Sequence, residues 1–518
     1  MTKFSTESCN GNAADYFVDR HLDTAYADKP AFREVDGHKR RLSYREIATE
    51  SAKLVDLYAR HGIQREDRVA LLLLDQIEFP IIFWGSLKAG VIPVSLNTLL
   101  GSEVYASILT DCRAKALFVS SPLLSVVEPL LADHPTIKTV FVTGEHASNH
   151  LTFIDELGRC TPQPTVESSP DECAFWLYSS GSTGQPKGVR HLHSSLRETA
   201  DTYGVQVLGI EQEDIVYSAA KFFFAYGLGN SLSFPMSVGA TSLLLSSRPT
   251  PDAVLGIINE YKPTIFCGVP TLYAATIAHV ESNEMSIDAP LRRCISAGEA
   301  LPEDLGKNWE KLTNCPILDG VGSTEMLHIF LSNRIDDVVY GTSGVAVPGY
   351  ELRLVDENGK DITETHKVGE LLVNGNSAAA DYWNQRDKSR QTFEGVWTRT
   401  GDKYEKSADG RLIYCGRTDD MFKVSGIWVS PFEVEQAIIA HPDVLEAAVV
   451  AAYDEQRLEK PKAYVVLKNP VDTKELSTVL KEQVKEQIGK WKYPRWVEIV
   501  DELPKTATGK IQRFKLRD

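Results

Sequence analysis

Residues 178–189 combine hydroxyl side chains, glycines and a lysine in the run Tyr-Ser-Ser-Gly-Ser-Thr-Gly-Gln-Pro-Lys-Gly-Val. This run follows the apolar residues 174–177, which predicts a buried strand that ends in a donor-rich loop. Glycines let backbone N–H groups approach an anion closely, while Ser182, Thr183 and Lys187 add hydroxyl donors and a positive charge. The run therefore predicts a site for a phosphate chain, although an exposed Ser/Gly-rich linker has the same composition.

The spacing does not match a Walker A loop, which would need glycine at 186 and Ser or Thr at 188 where this chain has Pro186 and Gly188. The run instead closely resembles the phosphate-loop signature of the adenylate-forming superfamily. That family comprises acyl- and aryl-CoA synthetases, luciferases and the adenylation domains of peptide synthetases. The resemblance implies that Thr183 and Lys187 are catalytic, and that ATP is bound by Ser179, Ser180, Gly181, Ser182, Thr183, Gly184 and Lys187.

Two later blocks match the same family's nucleotide site. The loop 296–302 is implied to lie against the adenine. In the block 319–325, the Thr-Glu pair is implied to direct its hydroxyl toward phosphate and its carboxylate toward Mg²⁺, an ion usually held by one or two carboxylates and phosphate oxygens. A solvated loop acid is the ordinary alternative for Glu325. The implied ATP-binding residues are Gly298, Glu299, Ala300, Asp319, Gly320 and Thr324, with Glu325 as a catalytic and metal-binding residue.

The resemblance continues through the C-terminal part of the chain. Asp402 is implied to bind the ribose hydroxyls, although a simple turn acid would also fit a Thr-Gly-Asp sequence. Arg417 is implied to bind ATP, and Asp419 is implied to be a hinge. Lys510, in a Thr-Gly-Lys turn that a solvated basic tail would also explain, is implied to be a catalytic, ATP-binding lysine. The residues implied to face CoA are Lys423, Ser425 and Gly426.

The substrate acid is predicted to lie beside the segment 218–230, where three phenylalanines precede Ala-Tyr-Gly. A small residue, an aromatic and a glycine would make a wall for a flat apolar ligand, although the phenylalanines themselves fit an ordinary core. This segment and the form Asp-Gly-Val-Gly-Ser at 319–323 resemble the benzoate-type ligases. No Arg or Lys occurs among the acid-binding residues that this resemblance implies, which are Ala225, Tyr226, Phe234, Gly322, His328 and Ile329.

Composition is consistent with a multi-domain globular protein. The chain has 518 residues, 43% of them hydrophobic and 24% charged, and a net charge of −16. Such a charge argues against a nucleic-acid or anionic-membrane partner. The eight cysteines lack CxxC spacing, and the polar N-terminus lacks a secretion signal. We expect reduced thiols and a cytoplasmic location. The oligomeric state stays open, with a homodimer as the form considered.

Strand and helix patterns alternate through the first 300 residues, and the pattern becomes strand-rich beyond residue 340. We therefore predict an α/β fold. A large N-terminal adenylation domain, residues 1–418, would contain layered α/β subdomains and a β-rich subdomain. A small, mobile α+β domain, residues 419–518, would follow a hinge.

The resemblance implies an ATP-dependent aromatic acid–CoA ligase for benzoate or 4-hydroxybenzoate, with Mg²⁺ as cofactor and ATP, the acid and CoA as substrates. The acid would first form acyl-AMP with release of pyrophosphate, and CoA would then displace AMP. An adenylation enzyme serving a carrier protein shares the first step. A luciferase-like oxygenase would use the same acyl-AMP with O₂, and a non-catalytic nucleotide-binding protein would share only the binding residues.

Overall fold

The computed structural model describes residues 11–132, 134–180, 186–424, 427–468, 472–505 and 511–517. The chain divides into two compact units. The first unit comprises residues 1–351 and 373–398, and the second comprises residues 352–372 and 399–518. The predicted boundary between residues 418 and 419 remains a prediction.

The first unit contains an eight-stranded sheet among its described residues. Most neighbouring strands in it are parallel, because helices connect them. The strand that ends at the predicted phosphate loop pairs with the parallel strands on one side and with an antiparallel strand on the other. In spatial order the strands are Asp381–Tyr382, Pro186–Leu192, Cys173–Ser180, Ile92–Ser95, Arg68–Leu72, Ala116–Ser120, Thr139–Thr143 and Leu151–Thr152.

A second, nine-stranded sheet lies in the same unit, counted over the described ranges. Its central strands are parallel and almost wholly buried, which explains why they read as continuous apolar runs in the sequence. In spatial order the strands are Val345–Ala346, Ile329–Ser332, Ile317–Gly322, Arg293–Ser296, Ile265–Gly268, Ile215–Ser218, Thr241–Leu244, Pro30–Glu34 and Arg41–Ser43.

Helices cover these sheets, and their termini follow the sequence signals. Ser43 caps the helix Tyr44–Arg60 in a capping box with Glu46. The other α-helices of this unit are Ala13–Phe17, Glu78–Lys88, Ser102–Cys112, Leu124–Val127, Phe153–Gly158, His193–Thr199, Ala225–Leu228, Phe234–Val238, Pro251–Tyr261, Pro270–Ser282, Glu303–Thr313 and Arg386–Thr392. Wider π-helical turns span Ala200–Leu208 and Gly229–Ser233. Such turns are uncommon and frequently occur at functional sites.

The second unit combines strands with two α-helices in its described part, Pro431–Ile439 and Thr473–Ile488. The strands Val444–Tyr453, Glu459–Leu467 and Trp496–Ile499 form one of its sheets. A hairpin and most of a further sheet belong to it as well, with the strands Glu351–Val355, Gly369–Asn374, Trp397–Lys406, Leu412–Arg417, Phe422–Val424 and Ile427–Val429. The short strand Phe393–Glu394 belongs to the first unit. None of the helices in the described residues is long and apolar enough to cross a membrane.

Candidate active site

The predicted phosphate loop connects two paired strands. Cys173–Ser180 runs antiparallel to Pro186–Leu192, with Ser179 opposite Lys187 at the end of the ladder. The strand predicted before the loop is therefore present, and Lys187 is held by backbone pairing and not on a mobile linker. The Ser179 hydroxyl is buried and has no hydrogen-bond partner among the described residues. The loop residues Gly181, Ser182, Thr183 and Gly184 lie outside the described residues, and Ser180 lies at the end of its strand.

Lys187 belongs to a trio with Glu325 and Tyr382. The Lys187 Nζ lies 3.6 Å from Glu325 Oε1 and donates a 3.3 Å hydrogen bond to the Tyr382 hydroxyl. That hydroxyl donates to Glu325 Oε1 at 2.6 Å. The ammonium also lies 4.3 Å from the centre of the Tyr382 ring. Lys187 is only 8% exposed, so the acidic and aromatic partners offset the cost of burying its charge.

Tyr382 was not predicted from the sequence, although it connects the two charged residues that were. It lies on the short strand Asp381–Tyr382, which pairs with the strand that carries Lys187. Next to it, Arg190 and Asp381 form two hydrogen bonds of 2.6 and 2.7 Å across the same pair of strands. A tyrosine almost two hundred residues beyond the phosphate loop has no spacing signal, so only the strand pairing shows its position.

A tight turn after the strand Ile317–Gly322 carries the predicted Thr-Glu pair. The chain returns as the antiparallel strand Ile329–Ser332. Within the turn, the Thr324 carbonyl accepts a hydrogen bond from the backbone N–H of Leu327, which has a φ of 65°. Gly322 is required at the base, because a Cβ there would lie 2.5 Å from the backbone oxygen of residue 328. The turn therefore fixes the positions of both Thr324 and Glu325.

The loop 298–300 and the Asp319-Gly320 pair lie at the ends of neighbouring parallel strands, with Ser296 opposite Asp319. Gly298 has a φ of 95°, a left-handed conformation that favours glycine. Asp319 is buried, and its burial raises its pKa well above the usual range despite hydrogen bonds from the backbone of Leu301 and Gly320. The structure thus brings together the predicted adenine-side loop and the predicted block 319–325.

The predicted acid-binding residues gather around His328. Its ring centre lies 4.5 Å from that of Phe234 and 5.7 Å from that of Tyr226. The ring of Tyr203, which was not predicted, lies 5.1 Å away on another side. We call this group of rings the ring pocket. It is built from the segments that hold all six predicted residues, namely Ala225, Tyr226, Phe234, Gly322, His328 and Ile329.

The two polar side chains predicted for this pocket differ in how they are satisfied. The Tyr226 hydroxyl lies 3.1 Å from two backbone acceptors, the carbonyls of Gly268 and Ile295. His328 is 2% exposed, and neither ring nitrogen has a hydrogen-bond partner among the described residues. Burial lowers the pKa of His328 to about 3, although the nearby backbone of Tyr226 raises it slightly. The imidazole is therefore neutral at physiological pH.

In the second unit, Asp402 and Arg417 lie opposite each other on paired strands. The Arg417 Nη1 donates to Asp402 Oδ1 at 2.9 Å and to the Thr400 carbonyl at 3.1 Å. Two of the three predicted nucleotide-binding residues of this unit are thus neighbours. Lys423, predicted to face CoA, forms a 3.9 Å ion pair with Glu357, while Ser425 and Gly426 lie outside the described residues.

Lys510 lies outside the described residues, but both flanks of its segment are described. Lys505 and Ile511 form an antiparallel bridge. Two residues beyond Ile511, Arg513 donates two hydrogen bonds to Glu435, at 2.9 and 2.7 Å. Glu435 is 3% exposed, so this pair is part of the unit's interior.

The predicted hinge residue, Asp419, and its neighbour contact Arg513 and a second arginine, Arg517. Asp420, which follows Asp419, accepts a 2.6 Å hydrogen bond from Arg517 and lies 3.4 Å from the guanidinium of Arg513. The Asp419 carbonyl accepts a 3.4 Å hydrogen bond from Arg517. The segment that follows Lys510 is therefore tied to the residues around the predicted hinge.

The donor set near Lys187 suits Mg²⁺ bound together with ATP. In the described ranges no three His, Cys, Asp or Glu side chains gather to hold a metal ion by themselves. Mg²⁺ usually needs only one or two carboxylates because phosphate oxygens and water complete its coordination. Glu325, with 16% of its side chain exposed next to the phosphate-loop lysine, is a carboxylate of that kind.

Comparison with known proteins gives concordant matches. Residues 19–383 match the family model described as AMP-binding enzyme, and residues 433–510 match the model of its C-terminal domain. A 4-hydroxybenzoate–CoA/benzoate–CoA ligase of Rhodopseudomonas palustris is 49% identical over 512 residues, or 98% of this chain and 94% of that protein. A benzoate–CoA ligase of Thauera aromatica is 50% identical over 508 residues, or 98% and 95%. A crystal structure of a benzoate CoA ligase from Burkholderia xenovorans superimposes with a TM-score of 0.90 and 44% identity, covering 99% of this chain and 100% of that one.

Proposed function

Because the chain belongs to the AMP-binding enzyme family, we propose that it is an ATP-dependent aromatic acid–CoA ligase that acts on benzoate or 4-hydroxybenzoate. One observation carries this proposal. The turn between Gly322 and Ile329 holds Glu325 of the charged trio and His328 of the ring pocket. A site for phosphate charge and a site for an aromatic ring therefore share one rigid turn.

The first half-reaction joins two anions. The carboxylate oxygen attacks the α-phosphorus of ATP, the bond to the β-phosphate oxygen breaks, and acyl-AMP and pyrophosphate result. The barrier is largely electrostatic, so fixed positive charge near the phosphates lowers it. Lys187 would supply that charge, held in place by Tyr382 and Glu325. When Mg²⁺ is bound with ATP, it neutralises further phosphate charge beside Glu325.

The second half-reaction transfers the acyl group to CoA. The thiol sulfur attacks the acyl carbon, AMP leaves, and the thiol proton passes to solvent. We assign Lys510 to the first half-reaction, a hinge to Asp419, and the CoA-side loop to 423–426. The ties from Arg513 and Arg517 to Asp420 support this assignment, because they connect the lysine segment to the hinge region. Lys510→Ala should nearly abolish acyl-AMP formation and spare thioester formation from supplied acyl-AMP. Equal loss of both would refute the role of Lys510.

The function is tested by measuring AMP release with Mg²⁺-ATP across benzoate, 4-hydroxybenzoate, cyclohexanecarboxylate, cinnamate and an aliphatic acid, each with and without CoA. We expect CoA-dependent turnover confined to the benzoates. AMP formation without a CoA thioester would favour a carrier protein as acceptor. Turnover of the aliphatic acid alone would contradict the assignment of the ring pocket.

A homodimer and a cytoplasmic location belong to the same proposal. Light scattering after size-exclusion chromatography would measure the assembly state. Fractionation of the source cells would show whether the enzyme is found in the cytoplasm.

A further inference from the structure

The turn that carries Glu325 contains a strained three-residue element. The Met326 carbonyl accepts a 2.8 Å hydrogen bond from the backbone N–H of His328. Leu327, which lies between them, has a φ of 65°. A hydrogen-bonded turn of three residues with a positive φ at its centre is the rare, strained form of the γ-turn. Strained conformations persist only where surrounding contacts hold them. The contacts made to this turn therefore show what maintains its shape.

A buried chain of two hydroxyls ends on the γ-turn. The Ser377 hydroxyl donates a 2.8 Å hydrogen bond to the same Met326 carbonyl and lies 2.7 Å from the hydroxyl of Tyr350. A carbonyl can only accept, and a serine hydroxyl has one proton, so Tyr350 is the donor to Ser377. Ser377 and Met326 are both fully buried. Bulk water therefore does not compete for these hydrogen bonds.

The segment that follows Ser377 reaches Glu325 at two further points. The backbone N–H of Ala379 donates a 2.8 Å hydrogen bond to the Glu325 carbonyl, and the Tyr382 hydroxyl donates to its carboxylate at 2.6 Å. Residues 377–382 thus bond two consecutive turn carbonyls and the carboxylate. Tyr382 contacts only the end of the Glu325 side chain, so the position of the carboxylate also depends on the backbone contacts.

We infer that Ser377 is a positioning residue for Glu325. Its hydroxyl, oriented by Tyr350, holds the γ-turn so that the carboxylate keeps a fixed geometry toward Lys187 and the phosphates of ATP. This inference rests on the proposed function, in which Glu325 acts beside those phosphates. A group that is held in place in advance contributes to the rate, and a small displacement of it is costly.

The helices Tyr44–Arg60 and Glu78–Lys88 contain a second hydroxyl chain of the same chemistry. The hydroxyls of Tyr58 and Ser86 lie 2.7 Å apart, and Ser86 donates a 2.7 Å hydrogen bond to the Ile82 carbonyl. Both side chains are buried. Neither helix contains a residue assigned to the proposed active site. Ser86→Ala is therefore a matched control that removes equivalent hydrogen bonds without touching the turn.

The first measurement is exchange of labelled pyrophosphate into ATP with benzoate and with 4-hydroxybenzoate. We expect Ser377→Ala to slow exchange by about 10–100-fold with both acids, because the carboxylate is displaced. Ser86→Ala should stay within about twofold of the wild type, although both variants lose buried hydrogen bonds and should have lower urea midpoints. In a Glu325→Gln background, Ser377→Ala should cost less than about threefold, because no carboxylate is left to position.

Hydrogen–deuterium exchange followed by mass spectrometry gives a readout that does not depend on activity. Peptides that cover residues 323–331 should take up deuterium faster in Ser377→Ala than in the wild type, because the His328 N–H bonds the carbonyl that Ser377 holds. Ser86→Ala should leave the uptake of those peptides unchanged.

The inference would be overturned if Ser377→Ala exchanged pyrophosphate as fast as Ser86→Ala, or if its loss were undiminished in the Glu325→Gln background. Unchanged deuterium uptake at 323–331 would overturn it as well. If Ser377→Ala does not fold, Tyr350→Phe is compared with Tyr58→Phe in the same assays, and an equal effect of the two on exchange would refute the positioning role. In all these cases the wild type still exchanges pyrophosphate. A wild type that exchanges none with any ring acid would instead contradict the proposed function, and with it this role of Ser377.

Discussion

The charged trio and the ring pocket lie on the same turn but differ in how their polar groups are satisfied. In the trio, Lys187, Tyr382 and Glu325 are partners of one another before any substrate is present. In the ring pocket, His328 is more deeply buried and lies among aromatic rings. The side chains of the trio are held by charge and hydrogen bonds, whereas the ring pocket is held by packing of aromatic rings.

This difference separates the common chemistry from the variable substrate. Under the proposed function every acid would need the same cation near the phosphates, and Lys187 is held in place by its own partners. Holding donors in place in advance removes the cost of reorganising them during the reaction. The ring differs from one acid to another, and the proposed ring site is formed by packed aromatic side chains. We therefore expect changes in the trio to affect all substrates, and changes in the pocket to affect stability and selectivity.

The largest effect is expected from Lys187→Met. It removes the cation and leaves Glu325 with only its tyrosine partner within the trio, so adenylation should fall by about 10²–10³-fold, or roughly 3–4 kcal/mol, for every acid. Acid-dependent exchange of labelled pyrophosphate into ATP would measure it. Lys115→Met, at an exposed position before a strand of the same sheet, is the matched control and should retain wild-type exchange. If the loss of exchange differed strongly between acids, the trio would not act on all substrates alike, contrary to this prediction.

Gly229→Ala should act on the pocket through packing. The added methyl group would lie 2.4 Å from His328 and 3.0 Å from Phe234, and overpacking of that kind costs about 1–3 kcal/mol of stability. Gly256→Ala is the control, because a Cβ there meets nothing within 4 Å and helix interiors favour alanine by about 1 kcal/mol. Urea unfolding of both variants checks the pair. Equal free energies of unfolding for the two variants would mean that the residues around Gly229 rearrange without any loss of stability.

Acid should destabilise the protein through His328. Burial lowers the pKa of His328 to about 3, from 6.5 in the unfolded chain, so the unfolded state takes up the proton first. The stability due to the neutral imidazole is complete above about pH 6.5 and is lost as the pH falls toward 3. Between pH 7 and 5 the wild type should lose about 2 kcal/mol more than His328→Gln. Urea midpoints at the two pH values test this, and parallel curves would contradict it.

Tyr382→Phe should have the smallest effect. It removes the hydroxyl that bonds Lys187 and Glu325 but keeps the ring beneath the ammonium. A net hydrogen bond contributes about 1 kcal/mol, so stability should fall by that amount and exchange by less than with Lys187→Met. Pyrophosphate exchange would measure the loss of adenylation, and urea unfolding would measure the loss of stability. An effect as large as that of Lys187→Met would show that the hydroxyl, and not the charge, organises the trio.

Local signals in the sequence predicted much of the fold. The family resemblance, the α/β fold class and the class of activity are confirmed. Helix starts follow local residues, since the side chains of Ser43, Ser430 and Asp472 bond the first turns of their helices. Apolar spacing alone would overstate the buried face of the helix Thr473–Ile488, because Val479 is 43% exposed while Leu480 is buried. The assigned roles of the site residues remain predictions.

What the sequence could not show was long-range pairing. Tyr382 joins Lys187 only because a two-residue strand pairs with a strand almost two hundred residues earlier. Tyr203 looks like an ordinary helix residue in the sequence, and only the contact of its ring with that of His328 shows its position. The hydrogen bonds of the Tyr226 hydroxyl were equally hidden, since they depend on which backbone carbonyls lie within reach.

The pairing of Arg513 with Glu435 has a practical consequence for work with this enzyme. Glu435 also accepts a 2.7 Å hydrogen bond from the backbone N–H of Val449, in the middle of the strand Val444–Tyr453. Removing residues from 513 onward would leave a buried carboxylate without its cation, a change that typically costs about 3–5 kcal/mol. Truncations and affinity tags near this position should therefore be judged as changes to an interior, and an inactive truncated protein would not by itself implicate Lys510.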